Sequence, residues 1–145
     1  MKVSTKGRYG VRIMFELALR SEKELLTARK IAKNQGISEK YVEQIISTLN
    51  KAHLVRSQRG ASGGYRLAMP AEQTTIGQIL RATEGDIIVA DRTGGDPDGS
   101  GLEDNRATTD LWYRVREAVE SVVDNVTLAD LVAKHNESQN FSYII

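Results

Sequence analysis

Cysteine is absent from this chain of 145 residues. That absence excludes disulfides, thiolate zinc sites, thiol nucleophiles and ordinary cysteine-ligated iron–sulfur clusters. Imidazole is nearly as scarce, with only His53 and His135, far apart in sequence. The expectation is therefore no cofactor and no metal. No apolar run approaches the roughly 20 residues that a membrane helix needs. The opening stretch, Met1 to Arg8, has no apolar core and no small-residue cleavage site, so the reading is a cytoplasmic protein without a signal peptide. Catalysis finds little support either. There is no clustered histidine and no carboxylate pair placed by a recognisable fold, and a Ser/His/Asp arrangement would have to be assembled from scattered residues.

What is present is a charge split. The net charge of +1 conceals a basic first half: residues 1–66 carry fourteen Lys/Arg against five Asp/Glu, and residues 67–145 carry six against fourteen. A basic half suits a polyanionic partner, and an acidic half keeps the remaining surface off it.

The stretch 91–107 is rich in glycine and aspartate, with Pro97 and a single large apolar residue, Leu102. It cannot build a packed core and reads as an exposed acidic loop. Asp96-Pro97-Asp98-Gly99-Ser100-Gly101 superficially resembles the start of a calcium loop. Ala107 stands where the bidentate glutamate belongs, so the reading is a linker. Helices are predicted over 8–20 (burying Ile13, Met14, Leu17 and Ala18), 27–35, 38–52, 75–84, 110–124 and 127 to about 135. A hairpin pairs 54–58 with 65–69. The expected organisation is 1–85 as a DNA-binding domain, 86–109 as an acidic loop, and 110–145 as a helical arm and tail.

The segment from Leu26 to Leu49 carries the first sharp signal. Thr27 and Ser38 are candidate helix caps, each bracketed by an apolar pair, Leu26/Ile31 and Ile37/Val42. Gly36 supplies the left-handed exit between the helices, and Ala32 is small enough for a close crossing. Val42, Ile45, Ile46 and Leu49 form the buried stripe of the second helix. This pattern suits a DNA-binding helix-turn-helix, although any helical hairpin shares part of it. Facing outward are Ser38, Glu39, Lys40, Tyr41, Glu43 and Gln44, with Ser47 and Lys51 further along. Gln44 can read an adenine edge, Glu43 a cytosine amino group, and Lys40 a phosphate or guanine. Tyr41 either faces out or packs on the first helix.

A glycine-rich hairpin tip follows, flanked by Arg56, Arg59 and Arg66. A basic hairpin directly after a recognition helix reads as the wing of a winged helix. A nucleotide-binding loop is the poorer reading. The Gly-Lys-Ser/Thr ending is missing, and the loop leads into a strand rather than a helix.

Three motifs together resemble the Rrf2 family of bacterial winged-helix regulators. They are Lys2-Val3-Ser4-Thr5-Lys6-Gly7-Arg8-Tyr9-Gly10, Ile37-Ser38-x-x-Tyr41-Val42-Glu43-Gln44-Ile45, and Arg59-Gly60-Ala61-x-Gly63-Gly64-Tyr65-x-Leu67. The likeness continues through Ile79-Leu80-x-x-Thr83-Glu84-Gly85 and Leu111-Trp112-x-x-Val115-Arg116-Glu117-Ala118-Val119. It implies a mainly α fold with a small β-hairpin, a winged helix-turn-helix followed by a long C-terminal dimerisation helix. It implies a homodimer on double-stranded operator DNA. The contacts it implies are Lys2, Thr5, Arg8, Ser38, Glu39, Lys40, Tyr41, Glu43, Gln44, Ser57, Arg59, Gly60, Ser62, Gly63 and Tyr65. Many members hold an iron–sulfur cluster through three cysteines in the region matching 91–107; this chain has none. Within the family it is most similar to a cysteine-free repressor of cysteine metabolism that acts with cysteine synthase, an O-acetylserine sulfhydrylase. Other readings are a family regulator of a different pathway answering to a small ligand, or a winged helix used only for protein contact.

The helix after the loop is apolar over two faces, through Leu111, Val115, Ala118 and Val122, widened by Trp112, Val119 and Val123. Such breadth suits a two-fold helix pair. The apolar tail Tyr143-Ile144-Ile145 is expected to dock into cysteine synthase by its terminal carboxylate; packing against the dimer core is the alternative.

Overall fold

The computed structural model describes residues 2–86 and 105–144. The acidic loop and the calcium-like run within it lie almost wholly outside the described residues, as does Ile145.

The chain opens with α1 (Thr5–Ala18), three residues earlier than the periodicity predicts. Ser4 is the reason: its side chain accepts from the Gly7 N–H and caps the helix. Two glycines in the first turns lower intrinsic helix propensity, which hides this start in the sequence. Their role is close approach to α4 (Ile76–Glu84). A Cβ at Gly7 would lie 2.2 Å from Glu84 Oε1, and one at Gly10 would lie 2.9 Å from Thr83 Cγ2. Glu84 also accepts from the Ser4 N–H at 2.9 Å and from the Ser4 hydroxyl. The helices therefore interlock where the first one begins.

Next come α2 (Ala28–Gln35) and α3 (Glu39–Lys51), capped by Thr27 and Ser38 as predicted. Gly36 leaves α2 at φ 68, the left-handed region where a side chain is disfavoured. Ile31, Val42, Ile45 and Leu49 are wholly buried with Ile13 and Met14 of α1. Each such side chain contributes about 1.5–3 kcal/mol of transfer free energy. Glu16 of α1 is buried too, and it accepts from Asn34 Nδ2 at 2.5 Å and Gln35 Nε2 at 2.8 Å, tying α1 to the end of α2.

Strands β1 (Val55–Gln58) and β2 (Gly64–Leu67) form an antiparallel hairpin slightly shorter than predicted. The register pairs Arg56 with Arg66 and Ser57 with Tyr65. A third short segment joins it: Leu26 N–H donates to Tyr65 O at 3.0 Å, and Tyr65 N–H to Leu26 O at 2.7 Å. A 3-10 turn (Ala71–Gln73) leads to α4, whose Thr75/Gln78 capping box forms in both directions.

The carboxyl-terminal helices depart most from expectation. Helix α5 (Asn105–Val123) starts five residues before the predicted position, taking in Ala107, Thr108 and Thr109. Helix α6 (Leu128–Ile144) does not stop near His135. No glycine or proline follows His135 to end it, so the helix runs on into the segment predicted as a separate tail. Its start is reciprocally capped by Thr127 and Asp130. Leu128 is wholly buried in the core shared with α1 to α4, and Ile76 N–H donates to Val126 O while Leu128 N–H donates to Thr74 O. The Phe15 and His135 rings meet edge to face at 5.6 Å. Thus α6 returns to the first half of the chain.

Candidate nucleic-acid interface

Helix α3 presents its amino-terminal turns to solvent. Ser38, Glu39, Lys40, Glu43 and Gln44 are exposed, and the Val42, Ile45, Ile46, Leu49 stripe is buried beneath them. Tyr41 takes the inward alternative. It is half-buried, and its ring meets that of Tyr9 at 6.1 Å, nearly perpendicular. Arg12 stacks over Tyr9 at 5.1 Å. This cluster sets the first half of α1 beside the first turn of α3, so the exposed side chains of Thr5, Arg8 and Arg12 belong to the helix that flanks α3. Lys2 is exposed just ahead of it.

Between α3 and the wing lies a groove of about 510 Å³. Glu43, Ile46, Ser47 and Asn50 line one wall, and Ser57, Gln58, Arg59, Gly60, Gly63 and Tyr65 line the other. Thr27 and Ala28 at the start of α2 close one end. Six of the predicted contact residues therefore converge here: Glu43, Ser57, Arg59, Gly60, Gly63 and Tyr65. Ser38, Lys40, Gln44 and the α1 residues lie outside the groove, as does Ser62 on the exposed tip. Sequence reasoning left out Thr27, Asn50 and Gln58. For Asn50 the signal was available, since 43, 47 and 50 continue one outward stripe at helical spacing. The tip itself is a turn closed by Gly63 N–H donating to Gly60 O at 3.0 Å. Arg59, Gly60, Ala61 and Ser62 are exposed on it.

Electrostatically, this surface belongs to the basic half of the chain. A guanidinium at the tip and cations along α1 can meet phosphates, and polar side chains on α3 can meet base edges.

Helix α5 packs through a mixed strip of half-buried residues, Arg116, Val119, Glu120 and Val123, while Asp110, Arg114, Glu117 and Ser121 are exposed. Arg81 of α4 donates to both carboxylate oxygens of Asp124, at 2.6 and 2.9 Å, and Arg116 donates to Glu120 at 2.9 Å and pairs with Asp86 at 3.7 Å. The hydrogen bond to Asp124 pushes the Arg81 pKa further up, and the same bond holds the Asp124 carboxyl below its usual range. Several of its large apolar side chains face out. Leu111 is 48% exposed, Trp112 51%, Val115 36% and Val122 60%; Ala118 is exposed and Val119 half-buried.

Two short helices joined at Gly36, a basic wing and a groove between wing and second helix define a winged helix-turn-helix of the DNA-binding class. A family profile described as "Rrf2: Iron-dependent Transcriptional regulator" matches residues 3–134, and the chain belongs to this family of transcriptional regulators. It is 41% identical to the HTH-type transcriptional regulator CymR of Bacillus subtilis, over 99% of this chain and 98% of that protein. It is 37% identical to IscR of Vibrio atlanticus, over 94% of this chain and 78% of that one. Among solved structures, CymR, "the Global Cysteine Regulator of B. subtilis", superposes with TM-score 0.77 over 92% of this chain and 98% of that one. IscR of T. potens superposes with TM-score 0.78 at 40% identity, over 96% and 91% of the two chains.

The family description speaks of iron. This chain has no thiolate to hold an iron–sulfur cluster, and among the described residues no three His, Cys, Asp or Glu side chains are grouped to hold a metal. The residues present do not fit a cysteine-ligated cluster. Among the described residues, no helix is long and apolar enough to cross a membrane.

Proposed function

We propose that this protein is a homodimeric repressor of cysteine and sulfur metabolism genes. Operator contact is assigned to α3 and the wing, and the two-fold to the outward face of α5. Residues 1–85 form the DNA-binding unit in this reading. The arm is 110–145, with Leu111, Trp112, Val115, Ala118, Val119 and Val122 at the dimer contact.

One observation carries the physiological assignment. The likeness to CymR runs the full length of both chains, in a protein whose lack of cysteine removes the cluster chemistry available to iron-responsive relatives. Cysteine synthase is the proposed protein partner, with Tyr143, Ile144 and Ile145 as its contact. Genome-wide footprinting with and without added cysteine tests the assignment. The expected result is occupancy upstream of sulfur-assimilation genes that changes with cysteine supply. Occupancy confined to unrelated promoters would overturn it. Co-purification of cysteine synthase with the wild type, and not with an Ile144→Asp/Ile145→Asp variant, is the expected result for the partner.

A further inference from the structure

Behind the wing, on the face turned away from the α3 groove, is a second cavity of about 440 Å³. Side chains alternate across a strand, so Arg56 and its partner Arg66 share one face of the hairpin while Ser57 and Tyr65 share the other. The second face lines the groove beside α3; the first opens onto this cavity. Arg20, at the end of α1, adds a third guanidinium to the lining.

Like charges directly opposite on neighbouring strands repel. Neither Arg56 nor Arg66 has an acidic partner among the described residues, and Arg20 reaches only Glu24, at 3.7 Å. Two guanidiniums on one face of the hairpin, neither in an ion pair among the described residues, offer donors that one oxyanion can bridge. Leu17 and Met69 give the cavity an apolar wall, and its volume lies within the roughly 300–1,000 Å³ of small-molecule sites. Glu22 and Glu72 also line it, which disfavours a second negative charge on the far end of any occupant.

We propose that this cavity binds a small organic anion: one carboxylate or phosphate held by Arg56 and Arg66, joined to an apolar body resting on Leu17 and Met69. DNA phosphate is the weaker occupant, because these arginines lie on the opposite face of the hairpin from the groove. A molecule bridging α1 and the back of the wing would fix the angle at which the wing meets DNA. That effector role rests on the DNA-binding reading; the binding itself does not.

The test is NMR titration of the full chain with benzoate and with phenyl phosphate, in the absence of DNA. The two probes separate a carboxylate from a phosphate preference. Saturable amide shifts are expected at Arg20, Ser21, the stretch 66–69 and Ala71, with affinity falling about tenfold or more in Arg56→Gln/Arg66→Gln. Both side chains are exposed, and their removal relieves repulsion, so the double variant is expected to fold. Absence of saturation with both probes, or unchanged titration in the double variant, overturns the proposal. So does a fall of about two in the log–log salt slope for a non-specific duplex in that variant, which would assign both arginines to DNA phosphate.

Discussion

Arg81 and Asp124 meet through two parallel hydrogen bonds, at 2.6 and 2.9 Å, and they join α4 to the end of α5. Both side chains are well exposed, 39% and 41%, so solvent screens the pair. Its contribution is expected to stay below about 1 kcal/mol. The more consequential effect is orientation, because the pair fixes the end of α5 against α4 with Leu111, Trp112 and Val122 left exposed.

The depressed Asp124 pKa gives this link a pH dependence. The folded state binds the proton less tightly than the unfolded chain, so the stabilisation is fully present above the ordinary carboxylate pKa. It is lost as pH falls through the lowered value. Urea midpoints across the acid range should show a decrement that Asp124→Asn abolishes, and that shrinks in high salt.

Charge on the outward face of α5 should separate the protomers. Leu111→Glu/Val122→Glu is expected to give a monomer by analytical ultracentrifugation with helical content unchanged, because both positions are exposed within one chain. Operator affinity should fall sharply, since a symmetric site engages two half-site readers together. A dimer that persists in this variant would place the two-fold elsewhere.

At the wing, Arg59→Ala is expected to weaken binding to all duplexes and to lower the log–log salt slope by about 1. Glu43→Ala should instead change sequence preference, because a carboxylate on the recognition helix repels phosphate and accepts only from a base amino group. Competition with duplexes varied at single positions separates the two behaviours.

Gly7→Ala opposes helix propensity to packing. Propensity alone predicts a gain of about 1 kcal/mol. The new methyl would stand 2.2 Å from Glu84 Oε1 and disturb its bonds to Ser4. Overpacking costs about 1–3 kcal/mol, so a net loss of stability is expected in urea denaturation.

His53 sits just past α3 at φ 59, the left-handed position usually given to glycine, with Leu54 N–H donating to Leu49 O at 3.0 Å. His53→Gly is expected to stabilise the protein by about 0.5–1 kcal/mol, read as a raised Tm. Unlike Gly7, this site favours glycine for its backbone rather than for space.

Much of the helix-turn-helix is legible in the sequence. Thr27, Gly36 and Ser38 act within a few residues of themselves, and the Val42 to Leu49 stripe needs only helical spacing to be seen. Tyr41 was not decidable, because its choice depends on Tyr9, thirty-two positions away. The early start of α1 was hidden for a similar reason. Glycines that disfavour a helix locally are required by Glu84 and Thr83, which arrive from the far end of the domain.

By itself the sequence determined the helix-turn-helix, the basic wing, the capping box of α4 and the exclusion of thiolate chemistry. These rest on composition, or on hydrogen bonds and periodicities that close over a few residues. Only the tertiary structure decided that α5 leaves Leu111, Trp112 and Val122 exposed, that α6 returns Leu128 to the first core, and that the wing has a groove on one face and a cavity on the other. An amphipathic helix or hairpin carries two usable faces in its sequence. Which one turns inward is settled by the partners that the rest of the chain brings to it.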